Sequence, residues 1–242
     1  MTTSTSTSCP LCNSNALSLI SQDERHRRSF YLCPDCDLIS VPPQYHLSRT
    51  DELARYALHD NSLSNKGYVD FLSEVADVAV NIASEMQHTA GLPINDPMER
   101  PVKLLDFGCG RDAVLCGLLV RRGIECYPYD PLYEGLRRLP DIVDGYDIIV
   151  AGEVVEHLRG VEGELRFMSG LLREGGAIIL RTRLYDDAGL GADGGGEGFK
   201  NWWYAQDPTH INFFSRKTLD RVALIVNKRI EETGRRDIFV FR

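Results

Sequence analysis

The sequence predicts an α/β protein: a doubly wound, mostly parallel sheet that ends in an antiparallel hairpin, with a small metal ribbon at the N-terminus. Three observations carry this. From Pro101 onward, short apolar runs of strand length alternate with stretches of helical periodicity, the pattern of a parallel sheet covered by helices. Two Cys-x-x-Cys pairs, Cys9/Cys12 and Cys33/Cys36, stand near the start. The chain has 242 residues, long for one domain and short for two full ones, and its 43% hydrophobic content suffices for one large core plus an appended module.

Residues 1–8 are Ser and Thr up to the first cysteine, apart from the initial Met, and are expected to form a disordered tail. Residues 9–45 form the ribbon. Twenty residues (13–32) separate the two pairs, and the β-prone SFYL, Ser29 to Leu32, leads into the second turn as a ribbon strand would. Four thiolates from Cys9, Cys12, Cys33 and Cys36 complete a tetrahedral Zn²⁺ site, closed and therefore structural. The plainer reading is four buried or redox thiols, which gives no reason for the paired spacing. Seven cysteines in all, with no signal peptide, suggest reduced thiols and not a disulfide framework.

Residues 46–100 read as a helical linker and one long helix. Between Asn65 and Gln87 the apolar residues Tyr68, Phe71, Leu72, Val75, Ala79, Ile82 and Met86 recur at helical spacing. GLPINDPMERP, residues 91–101, is a breaker-rich boundary loop. Residues 101–242 form the main domain. Its predicted strands are Val102 to Asp106, Ile124 to Tyr129, Tyr146 to Ala151 and Ala177 to Arg181, with helices near 111–122, 156–173 and 216–227. RIEET and DIFVF, around Gly234, predict the closing hairpin.

The formal charge of −8 argues against broad electrostatic capture of nucleic acid or anionic membrane. No apolar run approaches the ~20 residues of a membrane span. A cytoplasmic protein acting on a small molecule is the expectation, with a protein partner at the ribbon as a further one.

VKLLDFGCGRDAVLCGLL reads as strand, glycine turn and helix. Glycines at 108 and 110 let the backbone approach a ligand closely. Asp130, at the end of the second strand in YPYDP, is placed where a carboxylate takes ribose hydroxyls. The turn also fits a dinucleotide fingerprint. Against NAD stand Asp106 two residues before the first glycine, the lack of a second domain for a hydride acceptor, and the closing hairpin.

Taken together, DFGCG, YPYDP, AGEVVEHL, LLREGGAIIL and the terminal hairpin resemble the class I S-adenosylmethionine-dependent methyltransferases over residues 65–242. The resemblance implies a Rossmann-like sheet and S-adenosyl-L-methionine as cofactor. It places Asp106, Gly108 and Gly110 at the methionine portion, Asp130 at the ribose, and Glu153 on the same cofactor-side rim. Ribbon, long helix and compact domain in that order also look like a bacterial group of methyltransferases with N-terminal Cys-x-x-Cys modules. Two departures stand out: Asp112 occupies a position where the family often has a third glycine, and only fifteen residues (131–145) separate Asp130 from the next strand.

If a helix begins near Glu153, residues Glu153, Glu156 and His157 share one face at the carboxyl edge of the sheet. Two readings stand: glutamates favouring the helix dipole, each worth about 0.3–1 kcal/mol, or functional groups. His210 adds a second imidazole within a long segment, residues 184–214, whose GADGGGEG centre suggests a lid. Trp202, Trp203 and Tyr204 either wall a substrate pocket there or cover the core. Two carboxylates and two imidazoles suit Mg²⁺, Mn²⁺ or Zn²⁺. The pattern is similar to that of small-RNA 2′-O-methyltransferases, where such residues bind a metal; a related one occurs in ubiquinone-pathway O-methyltransferases and in methyltransferases with no known metal. The resemblance thus implies methyl transfer to oxygen, nitrogen or carbon, with Glu156, His157 and His210 as catalytic groups, or Glu153, Glu156, His157 and His210 as the ligands of a divalent metal. The other reading is a zinc-ribbon binding protein on an inactive methyltransferase-like scaffold.

Overall fold

The computed structural model describes residues 8–89, 101–139, 145–189 and 196–242. Residues 1–7 of the expected tail, most of the boundary loop (90–100), part of the shortened region (140–144) and part of the glycine-rich lid (190–195) lie outside the described residues.

The strands, in chain order, are β1 (Ser18–Asp23), β2 (Arg28–Leu32), β3 (Ile39–Ser40), β4 (Lys103–Phe107), β5 (Glu125–Tyr129), β6 (Tyr146–Gly152), β7 (Leu172–Arg181), β8 (Asn212–Phe213), β9 (Ile230–Glu232) and β10 (Ile238–Phe241). The helices are α1 (Arg49–Tyr56), α2 (Lys66–Thr89), α3 (Val114–Val120), α4 (Val161–Gly170), α5 (Gly196–Asn201) and α6 (Arg216–Val226). None of the described helices is long and apolar enough to cross a membrane. The chain divides into two compact units, each assembled from several segments.

One unit comprises residues 57–154, 168–181 and 231–242 and carries a six-stranded sheet in the order β5-β4-β6-β7-β10-β9. β4 runs parallel to β5 and β6, and β6 parallel to β7, while β10 is antiparallel to β7, pairing Val240 with Ile179. The predicted Rossmann-like sheet with an antiparallel end is therefore present. Leu104, Ile148, Val150, Ile179 and Val240 are buried against Leu72, Val75, Ala79 and Ile82 of α2. Such central strands read as continuous apolar runs because both faces are covered. Asn65 Oδ1 accepts the Tyr68 N–H, the cap that starts α2. The buried Arg181 joins the sheet to α2, donating to the Phe71 carbonyl (2.6 Å), Glu74 (2.9 Å) and Asp237 (3.0 Å).

Three boundaries differ from the sequence expectation. α3 begins at Val114 and not near 111, because Ala113 adopts a left-handed φ of 44°. The helix expected over 156–173 is only a 3-10 turn at Val155–His157 followed by α4. β7 reaches back to Leu172, past Gly175 at φ 74°. Cys116 and Cys126, expected to be reduced, are joined in a disulfide, since α3 and β5 bring their Cα atoms to 5.2 Å. Between β5 and β6 the described residues hold a single 3-10 turn, Glu134–Leu136.

The second unit comprises residues 1–56, 155–167 and 182–230, of which 8–56, 155–167, 182–189 and 196–230 are described. Its antiparallel sheet has the order β1-β2-β3-β8, so the ribbon takes its fourth strand from Asn212–Phe213. Val41 N–H donates to the Ile211 carbonyl and continues that pairing (2.8 Å). Phe30, Phe199 and Phe213 meet edge to face at 5.1–5.7 Å in its core. α6 opens on a capping box formed by Ser215 and Thr218, and the Thr218 hydroxyl donates to the Cys36 carbonyl (2.9 Å).

Candidate active site

The sequence-predicted residues fall in both units. Asp106, Gly108, Gly110, Asp130 and Glu153 belong to the six-stranded unit; the cysteines, Glu156, His157, Trp202, Trp203, Tyr204 and His210 belong to the other.

In the six-stranded unit the loop after β4 has Gly108 at φ 78° and Gly110 at φ 68°. A Cβ on Gly108 would stand 2.5 Å from Val154 Cγ2, so a side chain is excluded, whereas one on Gly110 would meet nothing within 4 Å. Asp130 closes the loop: Oδ2 accepts the Gly110 N–H (3.0 Å) and Oδ1 the Leu132 N–H (2.8 Å). Asp106 is buried, and its Oδ2 has no hydrogen-bond partner among the described residues. Burial, reinforced by the Asp130 charge, pushes its carboxyl up to about 7. Asp112 is exposed. Tyr68 of α2, which the sequence reading placed only on an apolar face, stands in the field of Asp106, Cys109, Asp112 and Glu153, and burial with these charges raises its phenol. Glu153 is not on a helix: it follows β6 at φ 55°, and its N–H donates to the Arg181 carbonyl (2.8 Å). The expected shared face of residues 153, 156 and 157 does not form, because a left-handed residue breaks the helical register.

In the other unit Glu156, His157 and His210 each bring one ligand atom within 4.8 Å of the others. The imidazole centroids are 4.7 Å apart. Glu156 is fully buried, and its Oε1 accepts the Tyr204 hydroxyl (2.6 Å). His210 Nδ1 lies 2.8 Å from the Tyr204 carbonyl, and His157 Nδ1 lies 3.0 Å from the Thr209 carbonyl. A carbonyl only accepts, so each Nδ1 carries a proton and donates it. Tyr56 contacts the same His157 nitrogen at 3.1 Å while donating to Glu52 (3.1 Å). Burial, aided by neighbouring His157 and opposed by Asp207, pushes His210 down to about 3, so it is neutral near pH 7. Two hydrogen bonds tie the segments together: the Ile211 N–H donates to the Glu156 carbonyl (2.8 Å), and the Asn212 side-chain Nδ2 to the Leu158 carbonyl (2.6 Å).

The aromatic trio separates. Tyr204 is 1% exposed, Trp202 packs beside it at 5.0 Å between ring centroids, and Trp203 is 63% exposed, with the Arg183 guanidinium 5.5 Å from its ring. Tyr56 and Arg28, whose guanidinium donates to the His210 carbonyl, have no signal in the sequence, since one ends a short polar helix and the other is merely the first residue of a short strand.

Cys9, Cys12, Cys33 and Cys36 cluster with all four sulfurs within 4.8 Å, Cys9 to Cys36 at 3.6 Å and Cys12 to Cys33 at 3.5 Å. Sulfurs about 2.3 Å from a tetrahedral centre are about 3.8 Å apart, so the cluster is compatible with zinc. The Cys36 thiol beside it draws the Cys9 thiol down, toward the thiolate a metal requires.

A parallel sheet with an antiparallel strand beside β7, a glycine loop after its first strand and an acid after its second define a Rossmann-like fold of the class I methyltransferase type. The family model described as a methyltransferase domain matches residues 70–225, well over half of the chain, and the chain belongs to that family. No curated protein matches it. Similar solved structures include the YcgJ protein of Bacillus subtilis, 17% identical, covering 63% of this chain and 70% of that one at a TM-score of 0.42. Streptomyces venezuelae DesVI is 13% identical, with 81% and 99% covered and a TM-score of 0.46. The complex between the Haloferax volcanii Trm112 methyltransferase activator and the putative methyltransferase gives 15% identity, 76% and 78% covered, and a TM-score of 0.48. Of two further structures the chain spans only 46% and 62%.

Proposed function

We propose that the protein is an S-adenosyl-L-methionine-dependent methyltransferase whose acceptor is deprotonated at the Glu156, His157 and His210 cluster. The observation that carries the cofactor assignment is Asp106 Oδ2, buried with no hydrogen-bond partner among the described residues and close enough to the Asp130 charge to be raised by it. Two carboxylates in that setting favour a ligand bearing positive charge, and S-adenosylmethionine carries an ammonium and a sulfonium. The open space at Gly110 leaves room for it. Asp130 already accepts two backbone N–H groups, and a carboxylate's remaining lone pairs suffice for ribose hydroxyls.

Methyl transfer is an in-line displacement: the sulfur–methyl bond breaks as a bond to the acceptor oxygen, nitrogen or carbon forms, and one proton leaves. His157 is the ring to take that proton, because burial leaves His210 too weak a base near pH 7. Tyr204 holds the Glu156 carboxylate in place. One carboxylate and two imidazoles also form a donor set that fits Mg²⁺ or Mn²⁺, with the carbonyls of Thr209 and Tyr204 orienting the ligands. Such an ion, when bound, acidifies an acceptor hydroxyl. Cys9, Cys12, Cys33 and Cys36 are assigned to one structural Zn²⁺ per chain. A small-molecule acceptor accords with the net charge of −8.

Calorimetric titration with S-adenosylmethionine and S-adenosylhomocysteine tests this reading. Binding of both is expected, while binding of neither would leave the scaffold reading and binding of NADH would overturn the cofactor assignment. Once an acceptor is known, loss of activity on chelation with recovery on adding Mn²⁺, the ribbon zinc still in place, is the expected sign of the cation.

A further inference from the structure

Arg28 opens β2 and is 2% exposed. Arginine is rarely buried so completely without fixed partners. Here Nη1 donates to the His210 carbonyl (2.9 Å), Nη2 donates to the Ala205 carbonyl, and Nε faces Asp23 Oδ2 at 3.5 Å. The guanidinium lies 5.0 Å from the Phe30 ring. A planar fork is thus fitted to two carbonyls at opposite ends of the 205–210 turn, a match that a point charge such as lysine does not make.

That turn is the segment that sets both imidazoles. The Tyr204 carbonyl, at its start, holds the His210 Nδ1 proton, and the Thr209 carbonyl, near its end, holds that of His157. Its interior is fixed by Asp207, which accepts the Thr209 N–H (2.9 Å) and hydroxyl (2.7 Å). From Arg28, β2 runs directly to Cys33, and β3 passes the same sheet on to β8, two residues beyond His210.

We propose that Arg28 is a positioning residue of the acceptor site: it braces the 205–210 turn so that the Thr209 and Tyr204 carbonyls hold the Nδ1 protons of His157 and His210, making the cysteine ribbon a structural wall of that site. This rests on the acceptor-site reading above. The brace acts on the orientation of the imidazoles and touches neither acceptor nor cofactor.

The test is imidazole ¹⁵N NMR on histidine-labelled, zinc-loaded protein, with Mn²⁺ and S-adenosylmethionine affinities measured calorimetrically on the same samples. In the unmodified protein both imidazoles should be in the Nδ1–H form. Arg28→Met should shift both toward the Nε2–H form that predominates in a free imidazole and weaken Mn²⁺ binding about 10–100-fold, as loss of an outer support of metal ligands does. S-adenosylmethionine affinity should stay unchanged. Arg28→Lys, which keeps the charge and loses the fork, should give an intermediate tautomer shift, and it is the variant to read if Arg28→Met does not fold. Unmodified tautomers and unmodified Mn²⁺ affinity in a folded variant would overturn the proposal. If the unmodified protein binds no S-adenosylmethionine but its tautomers depend on Arg28, the methyltransferase reading fails and the brace stands.

Discussion

Asp106, the last residue but one of the buried strand β4, carries a carboxyl whose anion is unfavourable where it stands. Its pKa is raised from 3.8 to about 7 by burial and by Asp130. Between these values the folded state binds a proton that the unfolded chain has released, so the associated stability is complete below about pH 4 and is lost as pH rises through 7. Asp106→Asn removes the charge. The variant should therefore gain stability over the unmodified protein above pH 7, by roughly 2–4 kcal/mol at about 1.36 kcal/mol per pKa unit, and match it near pH 4. Urea unfolding at both pH values without cofactor checks this, and a pH-independent difference would refute it. The same change should weaken S-adenosylmethionine binding. Gly108→Ala is a purely steric counterpart. The added Cβ would stand 2.5 Å from Val154 Cγ2 at a φ of 78°, and the expected cost of the backbone alone is about 1–3 kcal/mol by thermal unfolding. Asp130→Ala should cost about 1.5–3 kcal/mol of cofactor binding, roughly ten- to a hundredfold in affinity by calorimetry, because it also frees the loop amide of Gly110. The glycines and acids were legible in the sequence because their spacing follows from strand and turn geometry. The contact of Tyr204 with Glu156 was not, since it joins residues 48 apart through a hydroxyl whose partner no local pattern specifies.

Among elements, legibility followed length and periodicity. α2 was readable because seven apolar residues repeat at helical spacing over 24 residues, and β4 and β6 because buried central strands are apolar runs. β3 and β8 have two residues each, too few for any period, and exist because they pair with each other. The helix start expected near Glu153 fails for a different reason: Glu, Glu and His at i, i+3 and i+4 look the same whether the backbone is helical or, as here, left-handed at the first of them. Electrostatic fastening of elements was equally invisible. Arg181, on β7, holds Glu74 of α2 and Asp237 beside β10, with its own side chain 3% exposed. Arg181→Leu should destabilise the protein by about 3–5 kcal/mol in urea, since it removes one member of a mostly buried ion pair with the 14%-exposed Asp237. Adding Asp237→Asn should recover part of the loss. No recovery would show that the arginine acts through its packing on the Phe71 ring, 3.4 Å from the guanidinium, and not through charge.

For the molecule as a whole, sequence reasoning delimits segments, whereas cooperativity follows contacts. Residues 9–45 read as a self-contained ribbon, yet the compact unit that contains the four cysteines also includes 155–167 and 182–230. The links are specific: β3 to β8, Lys217 to Asp37 (2.9 Å), the Tyr185 hydroxyl to the Asp37 carbonyl (2.8 Å), and Glu162 N–H to the Pro10 carbonyl (3.0 Å). A structural zinc contributes its binding free energy to whatever folds with it. Chelating the zinc should therefore raise amide exchange not only in β2 and β3 but also in Ile211 to Phe213, the start of α6 and the first turn of α4, segments more than a hundred residues downstream. Hydrogen exchange read by mass spectrometry before and after chelation measures this directly. Faster exchange confined to residues 9–45 would mean that the ribbon is an independent module after all, and that neither His157 nor His210 depends on the metal for its placement.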